Sequence, residues 1–225
     1  SGFGKAIALK FAEHGYDVII AGRREERLNQ LEHIIKDTYD VKVFSLCFDV
    51  RDKIKTEEEL NALPHDWKEV DVLVNNAGLA SGLSTIQDGD INDWELMIDT
   101  NVKGLLYVSR TVMPWMVKRN KGHIINIGSI AGKEVYPKGN VYCATKHAVD
   151  AISKAMRIDM LPHGIKVTAI HPGAAETEFS LVRFKGDADK AKQVYNGIDP
   201  LVAEDIAEVA HFAASRPKHV VLNDI

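Results

Sequence analysis

Tyr142 and Lys146 stand four residues apart in a stretch of helical period, so a helix over 141–161 places both side chains on one face. A phenol of pKa about 10 is a poor base at neutral pH, and an adjacent ammonium favours its ionised form; a drop of about 3 units asks for roughly 4 kcal/mol of differential stabilisation. Ser129 follows the apolar run 124–128, placing a hydroxyl at a strand end where it can hold a reacting oxygen near that phenol. Asp49 follows the run 43–48, and Asn75-Asn76-Ala77-Gly78 follows 70–74, so three polar positions succeed three strands. They converge on the carboxyl edge of the sheet, where open α/β sheets bind ligands. Each feature alone has a plainer reading: Tyr-x-x-x-Lys as a half-buried tyrosine beside a solvated lysine, and the asparagines as turn chemistry.

A second group of residues suits a phosphorylated ligand. Gly2 and Gly4 precede a helix, and small residues there let backbone N–H groups approach a pyrophosphate at the positive end of the helix dipole. The next strand ends in Arg23-Arg24, where an acidic residue would suit a ribose 2′-hydroxyl and arginine suits a 2′-phosphate. This favours NADP over NAD. The alternatives are glycines that only shape a turn, and Arg23, Arg24 and Arg27 solvating a helix start.

The elements that must position these groups alternate along the chain. Short apolar runs at 17–21, 41–48, 70–74, 123–127 and 166–170 read as strands buried on both faces. Helical periods occupy 5–13, 25–36, 56–63, 92–119, 141–161 and 203–214; in the fourth, Trp94, Met97, Ile98, Asn101, Leu105 and Val108 recur at steps of three and four. The expectation is an α/β fold: a Rossmann-like doubly wound parallel sheet in one domain spanning 1–225, with no repeat or linker to divide it. Segment 173–200 is the least regular and reads as a lid. Because Ser1-Gly2-Phe3-Gly4 opens directly onto a helix, the central first strand is expected to be missing and the record N-terminally incomplete; the abrupt apolar end at 219–225 suggests the same for the C-terminus.

Composition narrows the function classes. The 225 residues are 45% hydrophobic and 27% charged, enough for a large core. A net charge of −4 argues against broad phosphate-backbone binding, so no nucleic-acid partner is expected. No apolar run approaches the 18 or so residues that span a bilayer, and no membrane association is expected. Cys47 and Cys143 are isolated, as in a reduced, cytoplasmic chain. His163 and His171 lack partners at ligand spacing, so no metal is expected.

In combination these residues resemble the short-chain dehydrogenase/reductase family, whose order is a glycine-rich turn, Asn-Asn-Ala-Gly, a helical Asn, a Ser after a later strand, Tyr-x-x-x-Lys and Pro-Gly. The matching positions are Gly2, Phe3 and Gly4; Asn75 to Gly78; Asn101 within Thr100-Asn101-Val102-Lys103-Gly104; Ser129; Tyr142 and Lys146; and Pro172-Gly173 followed by Thr177. The resemblance covers 1 to about 214. It implies that Tyr142 exchanges the proton with the substrate oxygen, Ser129 orients that oxygen, Lys146 lowers the phenol pKa and binds the nicotinamide ribose, and Asn101 holds a water in a relay from Lys146. It also implies that Asn76, Ala77 and Gly78 line the cofactor, that Asp49-Val50 lies beside the adenine, and that Pro172, Gly173 and Thr177 close over the nicotinamide. The first glycine of the family's turn has no counterpart here.

Within the family, Gly22-Arg23-Arg24-x-x-Arg27-Leu28, Asp93-Trp94-Glu95, the run from Gly122 to Ser129, and Thr177-Glu178-Phe179-Ser180 with Val182-Arg183-Phe184-Lys185-Gly186-Asp187 are similar to the NADP-dependent 3-hydroxy acid dehydrogenases. That implies serine, allo-threonine, 3-hydroxypropionate or malonic semialdehyde as substrates. Their carboxylate would meet Arg183 or Lys185, chosen on charge and placement. Competing readings are a reductase of hydroxyacyl thioesters or steroids and a dinucleotide sensor without turnover. A nucleotide-sugar epimerase is disfavoured, because only roughly 50 residues follow Pro172-Gly173. The long helices over 92–119 and 141–161 resemble those that build tetramers in this family, which implies a homotetramer.

Overall fold

Five strands, β1 (Val18–Gly22), β2 (Val43–Cys47), β3 (Val72–Asn75), β4 (His123–Ile127) and β5 (Lys166–Ile170), fall on the five apolar runs, with β2 shorter than expected and β1 and β3 starting later and ending one residue beyond. The protein is represented by a computed structural model in which residues 2–225 are described; Ser1, expected in the glycine turn, lies outside them. All pairings are parallel: β1 with β2, and β3–β4–β5 in that order. Among the described residues no strand precedes the first helix, and β1 and β3 do not pair; their facing edges line a common cleft. A short parallel contact between Ala169 and Asp224 adds the C-terminal segment beside β5.

Helices cover both faces. α1 (Gly2–Glu13), α2 (Glu25–Thr38) and α9 (Ala203–Ala214) pack on one; α3 (Lys53–Asn61), α5 (Leu105–Arg119) and α6 (Asn140–Met160) pack on the other. β4 shows why a parallel strand needs continuous apolarity: Ile125 and Ile127 enter the first core and Ile124 the second, all 6% exposed or less. Among the described residues no helix is long and apolar enough to cross a membrane.

Two expectations need correction. The stretch 92–119 is not one α-helix: α4 (Ile91–Ile98) passes through a π-helical segment, Asp99–Gly104, before α5. Gly104 explains part of this, since a β-carbon there would lie 2.7 Å from Val50 Cγ2, and buried Asn101 is turned toward the site. The glycines at 2 and 4 sit within the first turn of α1 rather than ahead of it. Segment 173–200 holds two short helices, α7 (Glu178–Arg183) and α8 (Ala188–Gln193), started by Thr177 and Asp187, whose side chains accept backbone N–H bonds.

His123 in β4 carries a measurable consequence. Its Nε2 lies 2.7 Å from Thr168 Oγ1, and that hydroxyl donates to Leu222 O at 2.6 Å, so Nε2 is the ring's protonated nitrogen. Burial lowers its pKa from 6.5 to about 4. Above pH 6.5 both folded and unfolded chains hold it neutral; as pH falls from 6.5 to about 4 only the unfolded chain gains the proton, and about 3 kcal/mol of stability is lost. Urea unfolding over that range is expected to show wild type losing about 3 kcal/mol more than H123Q; equal losses would refute the assignment.

Candidate active site

Ser129 is held where β4 gives way to a single turn. Gly128 N donates to Ile170 O at 2.7 Å, and a β-carbon on Gly128 would stand 2.5 Å from His171 Nδ1, so only glycine fits before Ser129. The Ser129 side chain accepts from Ala131 N at 3.1 Å and caps the turn Ile130–Gly132.

α6 delivers Tyr142 and Lys146 to the same place, as their spacing requires. Both are buried, Tyr142 at 9% and Lys146 at 6% exposure. Burial pushes the Tyr142 phenol up to about 12, with the Ser129 hydroxyl pulling the other way, and burial lowers the Lys146 ammonium to about 8. Burial thus pushes both groups toward their neutral forms. Lys146 Nζ donates to Ile127 O at 2.9 Å and lies 6.0 Å from the Tyr142 ring centroid.

Asn101 is placed by the π-helical segment. Its Oδ1 accepts from Leu79 N at 2.8 Å, and its Nδ2 donates to Leu79 O at 2.8 Å and Thr145 Oγ1 at 3.0 Å. It thus ties the loop after β3 to α6 between Tyr142 and Lys146. Gly78 lies between Asn101 and Lys146: a β-carbon there would be 3.4 Å from Asn101 Oδ1 and 3.5 Å from Lys146 Nζ. Asn75 points the other way. Its Nδ2 donates to Ser109 Oγ (2.9 Å) and Asn126 Oδ1 (2.8 Å), and Asn126 donates to Ser153 Oγ (2.9 Å), a buried chain joining β3, β4, α5 and α6. An asparagine inside an apolar strand such as Ile124-Ile125-Asn126-Ile127 was the available signal for it.

The residues expected at the cofactor, from Gly2, Phe3 and Gly4 through Arg23, Arg24, Asp49, Val50 and Asn76–Gly78 to Pro172, Gly173 and Thr177, line part of a cleft of about 1060 Å³ that also takes in the gap between the facing edges of β1 and β3. Ser129, Tyr142 and Lys146 line it as well. Gly2 has φ +53°, in the left-handed region, and a β-carbon on Gly4 would come 2.5 Å from Asn76 Nδ2. Gly2 thus uses glycine's backbone freedom and a side chain at Gly4 would push the Asn76 amide aside, and the cleft suits an elongated dinucleotide, with arginines at one end and the tyrosine–lysine pair at the other. Each arginine at the end of β1 has an acidic partner: Arg23 lies 3.8 Å from Asp49, which Arg51 grips at 2.6 and 2.9 Å, and Arg24 lies 3.1 Å from Glu178. Arg27 also pairs closely with Glu178, a contact no spacing pattern announces.

Beyond Tyr142 the cleft meets a cavity of about 20 Å³ ringed by Ser81, Asp93, Trp94, Asn140 and Arg183. The Arg183 guanidinium stacks 5.4 Å from the Tyr136 ring centroid and 5.8 Å from that of Tyr142, and its Nε donates to Gly82 O at 3.3 Å. Lys185 is placed differently. It is 61% exposed and lies 3.0 Å from Asp93 and 3.8 Å from Asp90, with Asp93 also accepting from Ser81 Oγ at 2.8 Å. Its charge is matched within the protein.

His171 gains neighbours that are remote in sequence: Asp224 at 3.3 Å and Asp150 at 3.7 Å. Lys133 and Lys154 each lie 2.7 Å from Asp150, and Arg157 lies 3.5 Å from Asp224. Three fixed cations already answer the two carboxylates, and the cluster reads as an ion-pair knot behind Ser129.

Comparison with known proteins agrees with this geometry. The model for short chain dehydrogenases matches residues 1–187. An NADP-dependent 3-hydroxy acid dehydrogenase of Salmonella typhi is 48% identical over 226 residues, covering 100% of this chain and 90% of the relative. A serine 3-dehydrogenase of Rhizobium radiobacter is 40% identical, covering 100% and 88%. Among solved structures, a closed form of serine dehydrogenase complexed with NADP+ superimposes with a TM-score of 0.94 at 46% identity, covering 100% of this chain and 89% of that one. With its parallel sheet, its glycine turn and its Ser129–Tyr142–Lys146 cluster, the chain belongs to the short-chain dehydrogenase family.

Proposed function

We propose that this chain is an NADP-dependent oxidoreductase that interconverts a small 3-hydroxy acid and its carbonyl, with serine, allo-threonine and 3-hydroxypropionate as the substrate type. The observation that carries the substrate class is Arg183, a cation 5.8 Å from the Tyr142 ring centroid that lines the same cavity as Tyr142. A 3-hydroxy acid carries an anion a few bonds from its reacting hydroxyl, so its carboxylate can meet Arg183 while its oxygen meets Tyr142 and Ser129. The names of the relatives point the same way.

The residues divide the work by position. Ser129 orients the substrate oxygen, Tyr142 exchanges the proton with it, Lys146 supplies positive charge beneath the phenol, and Asn101 fixes the loop and helix that hold them. NADP, when bound, supplies the hydride acceptor or donor at its nicotinamide ring. Gly2, Gly4 and Asn76 would hold its pyrophosphate end and Arg23 and Arg24 its 2′-phosphate. A homotetramer built on α5 and α6 accounts for Ile158 and Leu161, which are 73% and 75% exposed near the end of α6.

The test compares 3-hydroxypropionate with its uncharged amide under saturating NADP. A kcat/KM about 10²-fold or more in favour of the acid is expected from one well-placed charge pair. Equal values would remove the carboxylate from the account.

A further inference from the structure

We propose that Glu178 is an internal competitor for the cofactor's 2′-phosphate, so that binding of NADP opens a clasp between the lid and Arg24 and Arg27 at the start of α2. The inference rests on the NADP reading above.

Arg24 precedes α2 and Arg27 lies in its first turn, three residues on, so their guanidinium groups share one face. Glu178, the first residue of α7, lies more than 150 positions away in sequence and gives one carboxylate oxygen to each: Oε2 to Arg24 Nη1 at 3.1 Å and Oε1 to Arg27 Nη1. Two anionic oxygens bridging two arginines reproduce what a phosphate would offer the same pair. The three side chains are 37–51% exposed, so the clasp sits at the rim of the cleft, open to an arriving ligand. Both arginines hold the Glu178 carboxyl below the ordinary carboxylate range.

The clasp also closes something. Thr177, which caps α7, lies 3.4 Å from where a β-carbon on Gly2 would stand, so the start of α7 runs from the glycine end of the cleft to the arginine end. A 2′-phosphate carries about −1.5 to −2 charges against −1 for Glu178 and repels that carboxylate from a shared arginine pair. A nucleotide with the phosphate displaces Glu178 and frees α7 at its first residue. A nucleotide without it leaves the clasp shut. Glu178 thereby sets both the affinity for 2′-phosphorylated nucleotides and the coupling of lid position to the phosphate.

The test is calorimetric titration of the whole chain, wild type and E178Q, with 2′-AMP and with 5′-AMP, which carry one phosphate each at different positions and do not reach the tyrosine. Loss of a competing exposed ion pair is expected to tighten 2′-AMP by about threefold to tenfold, with 5′-AMP unchanged within about twofold. E178A, which also removes the carboxylate, is expected to match E178Q. If wild type binds 2′-AMP better than 5′-AMP but the variants bind 2′-AMP equally or more weakly, the clasp is overturned and the NADP reading stands. If wild type binds 2′-AMP no better than 5′-AMP, the NADP reading falls and the clasp falls with it.

Discussion

Tyr142→Phe is expected to lower kcat by about 10³- to 10⁴-fold while leaving the affinity for NADP within a few-fold of wild type, the size set by loss of a positioned acid–base group. Phenylalanine keeps the ring that packs against Phe179 at 5.6 Å and removes only the hydroxyl. The demand on the site is large, because bringing the phenol from about 12 to near neutrality takes about 7 kcal/mol of differential stabilisation. Lys146, whose Nζ donates to Ile127 O and lies 6.0 Å from the Tyr142 ring centroid, is the ammonium the site holds beside the phenol. Removing this ammonium in Lys146→Met should therefore cost kcat about as much as Tyr142→Phe, and the double variant little more, since the two act as a unit. Steady-state kinetics with separate cofactor titration decides this; a variant that loses cofactor binding and turnover together would instead mark Tyr142 as a structural residue.

Arg183→Ala is the second large effect: kcat/KM for a 3-hydroxy acid is expected to fall about 10²- to 10³-fold, with an uncharged alcohol of similar size changed by less than about threefold. The change sits chiefly in KM if the carboxylate is held equally in ground and transition states. Arg183→Lys keeps the charge but loses the planar stacking on Tyr136, so it is expected to recover only part of the loss. Lys185→Ala is expected to have little effect on either substrate, because Asp93 and Asp90 already pair with Lys185. Parallel losses for acid and alcohol in Arg183→Ala would mean that Arg183 only supports the lid through Gly82.

What was legible in the sequence was local. Tyr142 and Lys146 share a face because four residues make about one helical turn, and Ser129 and the Asn76–Gly78 loop stand at strand ends because apolar runs stop just before them. The π-helical segment was not legible. Asn101 and Gly104 keep an ordinary helical spacing, and what rewinds the chain there is contact with Val50 and with Leu79 and Thr145, which lie far off in sequence. Lys185 illustrates the same limit from the other side: charge and placement suited a substrate carboxylate, yet Asp93, 92 positions earlier, sits against it. Arg27 and Glu178, and His171 with Asp224, are pairs that only the folded chain brings together. The burial that raises the Tyr142 phenol and lowers the Lys146 ammonium is likewise a product of packing, since a spacing rule places a lysine on the right face without fixing where its ammonium points.

The most direct test of the account is absorbance at the reduced-nicotinamide band when the protein is mixed with NADP and 3-hydroxypropionate, beside identical mixtures containing NAD or an uncharged secondary alcohol. The account expects reduction of NADP by the acid, at least about tenfold slower reduction of NAD, and little with the alcohol. Turnover of the alcohol but not the acid, or cofactor that binds and is never reduced by any 3-hydroxy acid, would contradict it.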